Sequence, residues 1–230
     1  GPEDVHNWAL VRVFEVGEPV AVPSLAVSGS GDFARVFIAC CWYTVNWNWY
    51  SREYTLLWLY STNGGQTVAY NYLEPDGLQD LWPDVGLSGA AATMVNGEQD
   101  DSTGRIRILA ARDAVSGAFV DYVDLTQSSS MSSGYPSLAV DGDRNYVVWQ
   151  EDWDDGLGNV DGDVMYAFSW DGLASVYGPY EIQATIDESV GPVVATADGR
   201  VGCWWLEAPA GGDEFHLSAR AASLDGHPEG

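Results

Sequence analysis

YPSLAVDGDRNYVVWQED, residues 135–152, decides the fold, because altered copies of it recur along the chain. The clearest echo is VPSLAVSGSGDFARVFIACCW (22–42), and weaker ones are WPDVGLSGAAATMVNGE (82–98) and GPVVATADGRVGCWWLE (191–207). Each copy has a Pro, a short alternating strand, a Gly-containing turn and a second apolar strand. The marker prolines Pro23, Pro83, Pro136 and Pro192 stand 60, 53 and 56 residues apart. A repeat of this length built from short strands points to a ring or array of small sheets.

A third strand follows in every unit: YTLLWLYSTNGG, GRIRILAARDAVSG, GDVMYAFSWDG and EFHLSARAASLDG. A fourth follows in the first three: TVAYNYL, AFVDYVDL and ASVYGPYEI. Strands rich in β-branched and aromatic residues, punctuated by Gly, Asp, Asn and Ser, form antiparallel meanders. The expectation is an all-β chain, a single four-bladed β-propeller domain over 1–230, with blades at about 22–75, 82–128, 135–185 and 191–230 plus 7–16. The last assignment joins the two termini. NWALVRVFEV (7–16) completes the fourth blade, which removes two open sheet edges at once.

The 230 residues contain 34 acidic and 9 basic side chains, every basic one an Arg, for a formal charge of −25. Such a chain repels phosphate backbones and anionic lipid, so nucleic-acid binding is disfavoured. Three readings of the acidity coexist: a surface suited to saline or extracellular water, calcium ligation, and a face for a basic partner. No apolar run reaches the ~20 residues of a membrane helix, so membrane insertion is not expected. Gly1-Pro2 reads as a protease-cleavage scar, consistent with one domain of a larger secreted or cell-surface protein. Cys40, Cys41 and Cys203 fit neither a disulfide framework nor zinc spacing and read as small buried hydrophobes.

STNGGQTV (61–68) resembles the Asp-box of sialidase-like (BNR-repeat) propellers, with Asn63 in place of the Asp and Val68 in place of the Trp. SWDG (169–172) and SLDG (223–226) are shortened forms, and ARDAVSG (111–117) is degenerate. The resemblance implies a propeller of the kind found in secreted multidomain bacterial proteins. It implies a structural role for the Ser and Asx side chains, which hydrogen-bond the hairpin between third and fourth strands. The family's sialidases hold a carboxylate with three Arg, and their early Arg motif has no match here.

In such meanders the two-to-three loops and the blade-to-blade crossings share one face. That face collects YTVNWNWYSREY, GEQDDSTG, EDWDDGLGNVDGDV and EAPAGGDE. Trp47, Trp49, Tyr50 and Trp153 are the aromatic candidates for a carbohydrate or protein ligand. Asp152, Asp154, Asp155, Asp161 and Asp163 are candidate calcium ligands, although the spacing fails the EF-hand pattern; a solvated acidic loop explains them equally. Asp84 is a further candidate near the channel mouth, beside Ser24 and Ser137. Small residues at Ser24/Ala26, Ser137/Ala139 and their equivalents suit the crowded axis of a narrow propeller.

His6, His216 and His227 are scattered, and no Ser-His-Asp or metal triad stands out. The function expected is therefore a non-catalytic binding or scaffold module, monomeric. The alternative is a glycoside-active enzyme, sialidase-like or other, that uses loop carboxylates.

Overall fold

The computed structural model describes residues 20–46, 51–73, 78–100, 102–119, 121–127, 131–154, 160–183, 188–209 and 214–223. Four antiparallel sheets succeed one another. The first contains β1 (Val20–Ser28), β2 (Arg35–Asn46), β3 (Ser51–Ser61) and β4 (Ala69–Tyr72). The second contains β5 (Gln79–Ser88), β6 (Ala91–Gln99), β7 (Ile106–Ala114) and β8 (Val123–Asp124). The third contains β9 (Ser132–Asp141), β10 (Arg144–Asp154), β11 (Val160–Ser169) and β12 (Tyr177–Gln183). The fourth has β13 (Glu188–Ala197), β14 (Arg200–Ala208) and β15 (His216–Ser223). Each strand pairs with the next in sequence, and the described residues include no α-helix. The chain is a four-bladed β-propeller, as its repeat indicates.

Period-two alternation gives each blade two faces, and the facing sides of consecutive blades pack on one another. Phe37, Ala39, Leu56 and Trp58 of the first blade meet Val85, Ala92, Met94 and Ala111 of the second, with Phe119 filling the gap. The Phe119 ring lies 5.5 Å from those of both Phe37 and Trp58. The second blade's other face, Val95, Ile108 and Ala110, meets Leu138, Val147 and Trp149 of the third. Tyr146, Val148, Val164 and Phe168 of the third then meet Val194, Cys203 and Trp205 of the fourth. Fully burying one such aliphatic or aromatic side chain contributes about 1.5–3 kcal/mol.

Every inner strand is deformed at the same place. The residue before each marker proline has positive φ: Val22 at 50°, Trp82 at 47°, Tyr135 at 51° and Gly191 at 60°. The pairing register shifts there in all four blades. Proline has no N–H to give the ladder, so it is tolerated where a bulge interrupts pairing. Glycine adopts this conformation freely, whereas any other residue is strained by roughly 1–2 kcal/mol.

Just beyond the bulge, polar side chains tie each blade to the next. Ser24 Oγ accepts the Val85 N–H at 3.2 Å, Asp84 Oδ2 accepts the Leu138 N–H at 2.8 Å, and Ser137 Oγ accepts the Val194 N–H at 3.3 Å. Val193 holds the equivalent position in the fourth blade and has no acceptor to offer. The series of ties ends there.

The described residues leave the seam between fourth and first blades open. Inner strands pack in series, β1 on β5, β5 on β9 and β9 on β13, with no comparable packing of β13 on β1. Val85, Leu138 and Val194 are each buried against the preceding blade, yet the equivalent Leu25 is 61% exposed. Across the seam Val193, Trp204, Leu206 and Leu217 of the fourth blade are also exposed. Residues 7–16, expected to close the ring, lie outside the described residues.

Candidate active site

The starts of β5, β9 and β13 and the two-to-three strand ends point to one face of the propeller, the loop face. Acidic side chains concentrate there because the second strand of the second, third and fourth blades ends in acid-bearing sequence: NGEQ in β6, QEDWD in β10 and WLEA in β14. Asp80, near the start of β5, is buried and accepts a hydrogen bond from Asn96 Nδ2 at 3.0 Å. Beside it Arg107 pairs with Glu98 and lies 3.7 Å from Asp124, and the Glu98 contact holds the guanidinium's proton more firmly than usual. Tyr122 is pushed above the ordinary tyrosine range by burial first, then by Asp80 and Glu98.

The third blade contributes a carboxylate pair. Glu151 on β10 and Asp163 on β11 are direct register partners. Side chains at directly opposed positions have Cβ atoms about 4.5–5.5 Å apart. On the neighbouring strand positions, Asp152 Oδ1 accepts the Gln150 amide at 2.5 Å, opposite Gly162. In the fourth blade Glu207 accepts from Ser218 Oγ at 2.8 Å and from Trp205 Nε1 at 3.3 Å. In the second, Asp100 closes the β6–β7 loop by accepting both the N–H and the hydroxyl of Ser102, which hold its carboxyl below the usual range.

Of the residues expected from the sequence, Asp152 and Asp163 both lie on the β10–β11 hairpin, but Asp152 stands opposite Gly162 and Asp163 opposite Glu151, so their side chains take opposite faces of the sheet. Trp153, Asp154 and Asp161 have their backbones in the same hairpin, Trp153 opposite Asp161, while their side chains lie outside what the structure describes. Trp47, Trp49, Tyr50 and Asp155 fall outside the described residues. Asp84 stands apart, on the inner strand β5. Its Oδ1 accepts from Ser24 Oγ at 2.6 Å and from its neighbour Val85 N–H at 2.9 Å, in addition to the Leu138 bond. Both oxygens are thus committed to holding blades together. Among the described residues no group of three or more His, Cys, Asp or Glu converges as a metal site.

Sequence reasoning missed one aromatic feature. Trp82 and Tyr135, two of the strained residues that precede the marker prolines, stack with ring centroids 4.4 Å apart at 30°. Trp82 reaches this position over Gly134 and Gly97, where a Cβ would crowd its ring at 3.2 and 3.3 Å. The signal was available: aromatics stand directly before the marker Pro in two adjacent blades and in no other.

No family model and no curated protein matches the chain by sequence. By structure it resembles the GH43_1 enzyme from Xanthomonas citri complexed with xylose, at 12% identity and TM-score 0.52, over 88% of this chain and 73% of that one. It also resembles a Penicillium chrysogenum α-L-arabinanase complexed with arabinobiose, at 12% identity and TM-score 0.51, over 85% and 63%. A xylan β-1,4-xylosidase from Bacillus halodurans follows at 16% identity and TM-score 0.48, over 92% and 42%. The chain therefore spans between about two fifths and three quarters of the length of these enzymes. The likeness is one of fold. It corrects the expectation of a non-catalytic module, since the Xanthomonas citri and Penicillium chrysogenum enzymes of like fold are glycoside hydrolases.

Proposed function

We propose that this chain is glycoside-active, with the loop face as the site of reaction. The observation that carries the reading is the Glu151–Asp163 pair, two carboxylates set opposite each other on adjacent strands of a rigid blade. Glycoside hydrolysis needs little more than such a pair: one carboxylic acid protonates the leaving oxygen, and the other attacks the anomeric carbon or activates water. Fold alone assigns no chemistry, so the glycoside hydrolases of like fold lend support only. The sialidase-like relation is part of the proposal. It is supported by the turn at 61–67, where Asn63 Oδ1 accepts the Thr67 N–H at 3.0 Å and Ser61 Oγ accepts the Gly65 N–H at 2.9 Å.

The test is a panel of chromogenic β-xylosides, α-L-arabinofuranosides and α-sialosides, measured on the wild type, Glu151→Gln and Asp163→Asn. We expect turnover of at least one class, and a fall in kcat of about a thousandfold or more in one or both variants with unchanged melting. Turnover of no class, or full activity in both variants, removes the proposal.

A further inference from the structure

The four residues that precede the marker prolines form a collar around the inner strands: Val22, Trp82, Tyr135 and Gly191. All have φ between 47° and 60°. The collar is architectural, because the bulge recurs in every blade. Its occupants are not. Gly191 meets this backbone without strain and has nothing within 4 Å of where a Cβ would stand, so the fold accepts glycine in the collar. Trp and Tyr at positive φ are rare outliers, and strain of this kind collects at binding sites. Something must favour the aromatics where glycine would do.

Packing accounts for Trp82, which covers Gly97 and Gly134. It does not account for Tyr135. That ring stacks on Trp82 with one face and remains 51% exposed. The result is a rigid, doubled aromatic surface at the inner strands, bounded by the open space at Gly191.

We propose that Trp82 and Tyr135 are a stacking platform for one sugar ring of an oligosaccharide, with Tyr135 as the contacting residue. The apolar face of a pyranose or furanose covers the exposed face of Tyr135. The inference rests on the glycoside-active reading for its substrate class, but it concerns binding and needs no turnover.

Xylotriose, arabinobiose and 3′-sialyllactose are titrated by calorimetry into the wild type, Tyr135→Phe and Tyr135→Gly, with melting curves and hydrolysis kinetics alongside. Tyr135→Gly releases the backbone strain, so it should melt no lower than wild type while binding weakens about tenfold or more. Tyr135→Phe should bind as wild type does. Where hydrolysis is measurable, Tyr135→Gly should act mainly on KM. Binding and KM unchanged in Tyr135→Gly overturn the platform and leave the glycoside reading standing. Tyr135-dependent binding without hydrolysis of any probe keeps the platform and removes the catalytic reading. Failure of all three sugars to bind the wild type overturns the platform outright.

Discussion

Asp84 in β5 accepts the backbone N–H of Leu138 in β9 at 2.8 Å, so a side chain of the second blade ties the third blade's inner strand. The same carboxylate accepts from Ser24 of the first blade. One residue thus spans three blades. Asp84→Ala leaves these partners without an acceptor and should cost about 2–4 kcal/mol, given 1.5–3 kcal/mol for a bond to a charged group. For a chain of this size that lowers Tm by roughly 5–15 °C. Ser137→Ala, which loses one neutral bond to Val194, should cost about 1 kcal/mol. Equal melting of the two variants would refute the ranking.

The turn at 169–175 should confer a pH dependence that the turn at 61–67 lacks. Asp171 Oδ1 accepts the Ser175 N–H at 2.8 Å and the Ser169 hydroxyl at 2.9 Å, and these bonds, the backbone one foremost, hold its pKa below the usual value. A depressed carboxyl stabilises the fold above its unfolded pKa of about 3.9, and the contribution is lost as pH falls through the folded value. Asn63 makes the equivalent bonds uncharged. Asp171→Asn should therefore be less stable than wild type at pH 7 and match it near pH 2. Parallel urea midpoints across that range would contradict the assignment.

The three thiols should be inert in the native state. Burial pushes Cys40 up to about 11, and Cys41 and Cys203 up to about 12. Alkylation by iodoacetamide at pH 8 should be slower by about a hundredfold or more than for an ordinary thiol near 8.5, and complete in urea. Unfolded thiols ionise first, so stability should also fall as pH rises above about 9. Rapid native labelling, read by mass spectrometry, would show that a thiol is open to solvent.

Calcium should act through the β10–β11 loop and not through Asp84. At matched ionic strength, calcium should raise Tm over sodium, by the equivalent of about 2.7 kcal/mol at ~100 times Kd. Asp154→Ala/Asp161→Ala should erase the increment. Asp84→Ala should lower Tm equally in both salts, because its oxygens already hold backbone and hydroxyl groups. Identical wild-type midpoints in the two salts would leave the loop an acidic connection.

The blades were readable from the sequence because each repeats the same Pro, turn and alternation, and burial between blades enforces that pattern. Asp84 was expected near the channel mouth as a candidate ligand, and its role as an inter-blade acceptor was not legible. Its partner is the N–H of Leu138, 54 positions away, which no local pattern marks. Trp82 and Tyr135 were missed because attention went to the proline, while the bulge before it breaks the period-two rule that assigns faces. The non-catalytic reading failed for a different reason. It rested on the lack of a histidine-based constellation and on carboxylates too numerous, 34 acidic residues in all, to single out one pair. Glu151 and Asp163 become a pair only once the strand register is known.

The apolar side chains exposed along the seam among the described residues have a consequence for how the molecule behaves in bulk. Leu25 and Val27 on one side and Trp204, Leu206 and Leu217 on the other are sticky surfaces on a body carrying a formal charge of −25. At neutral pH mutual repulsion keeps copies dispersed despite those surfaces. Near the isoelectric point of about 4.1 the repulsion vanishes while the apolar surfaces persist. Concentrated salt shortens the range of the repulsion in the same way. The colloidal stability of this propeller is thus set by its acidity, and mild acid should bring it out of solution while its blades are still folded.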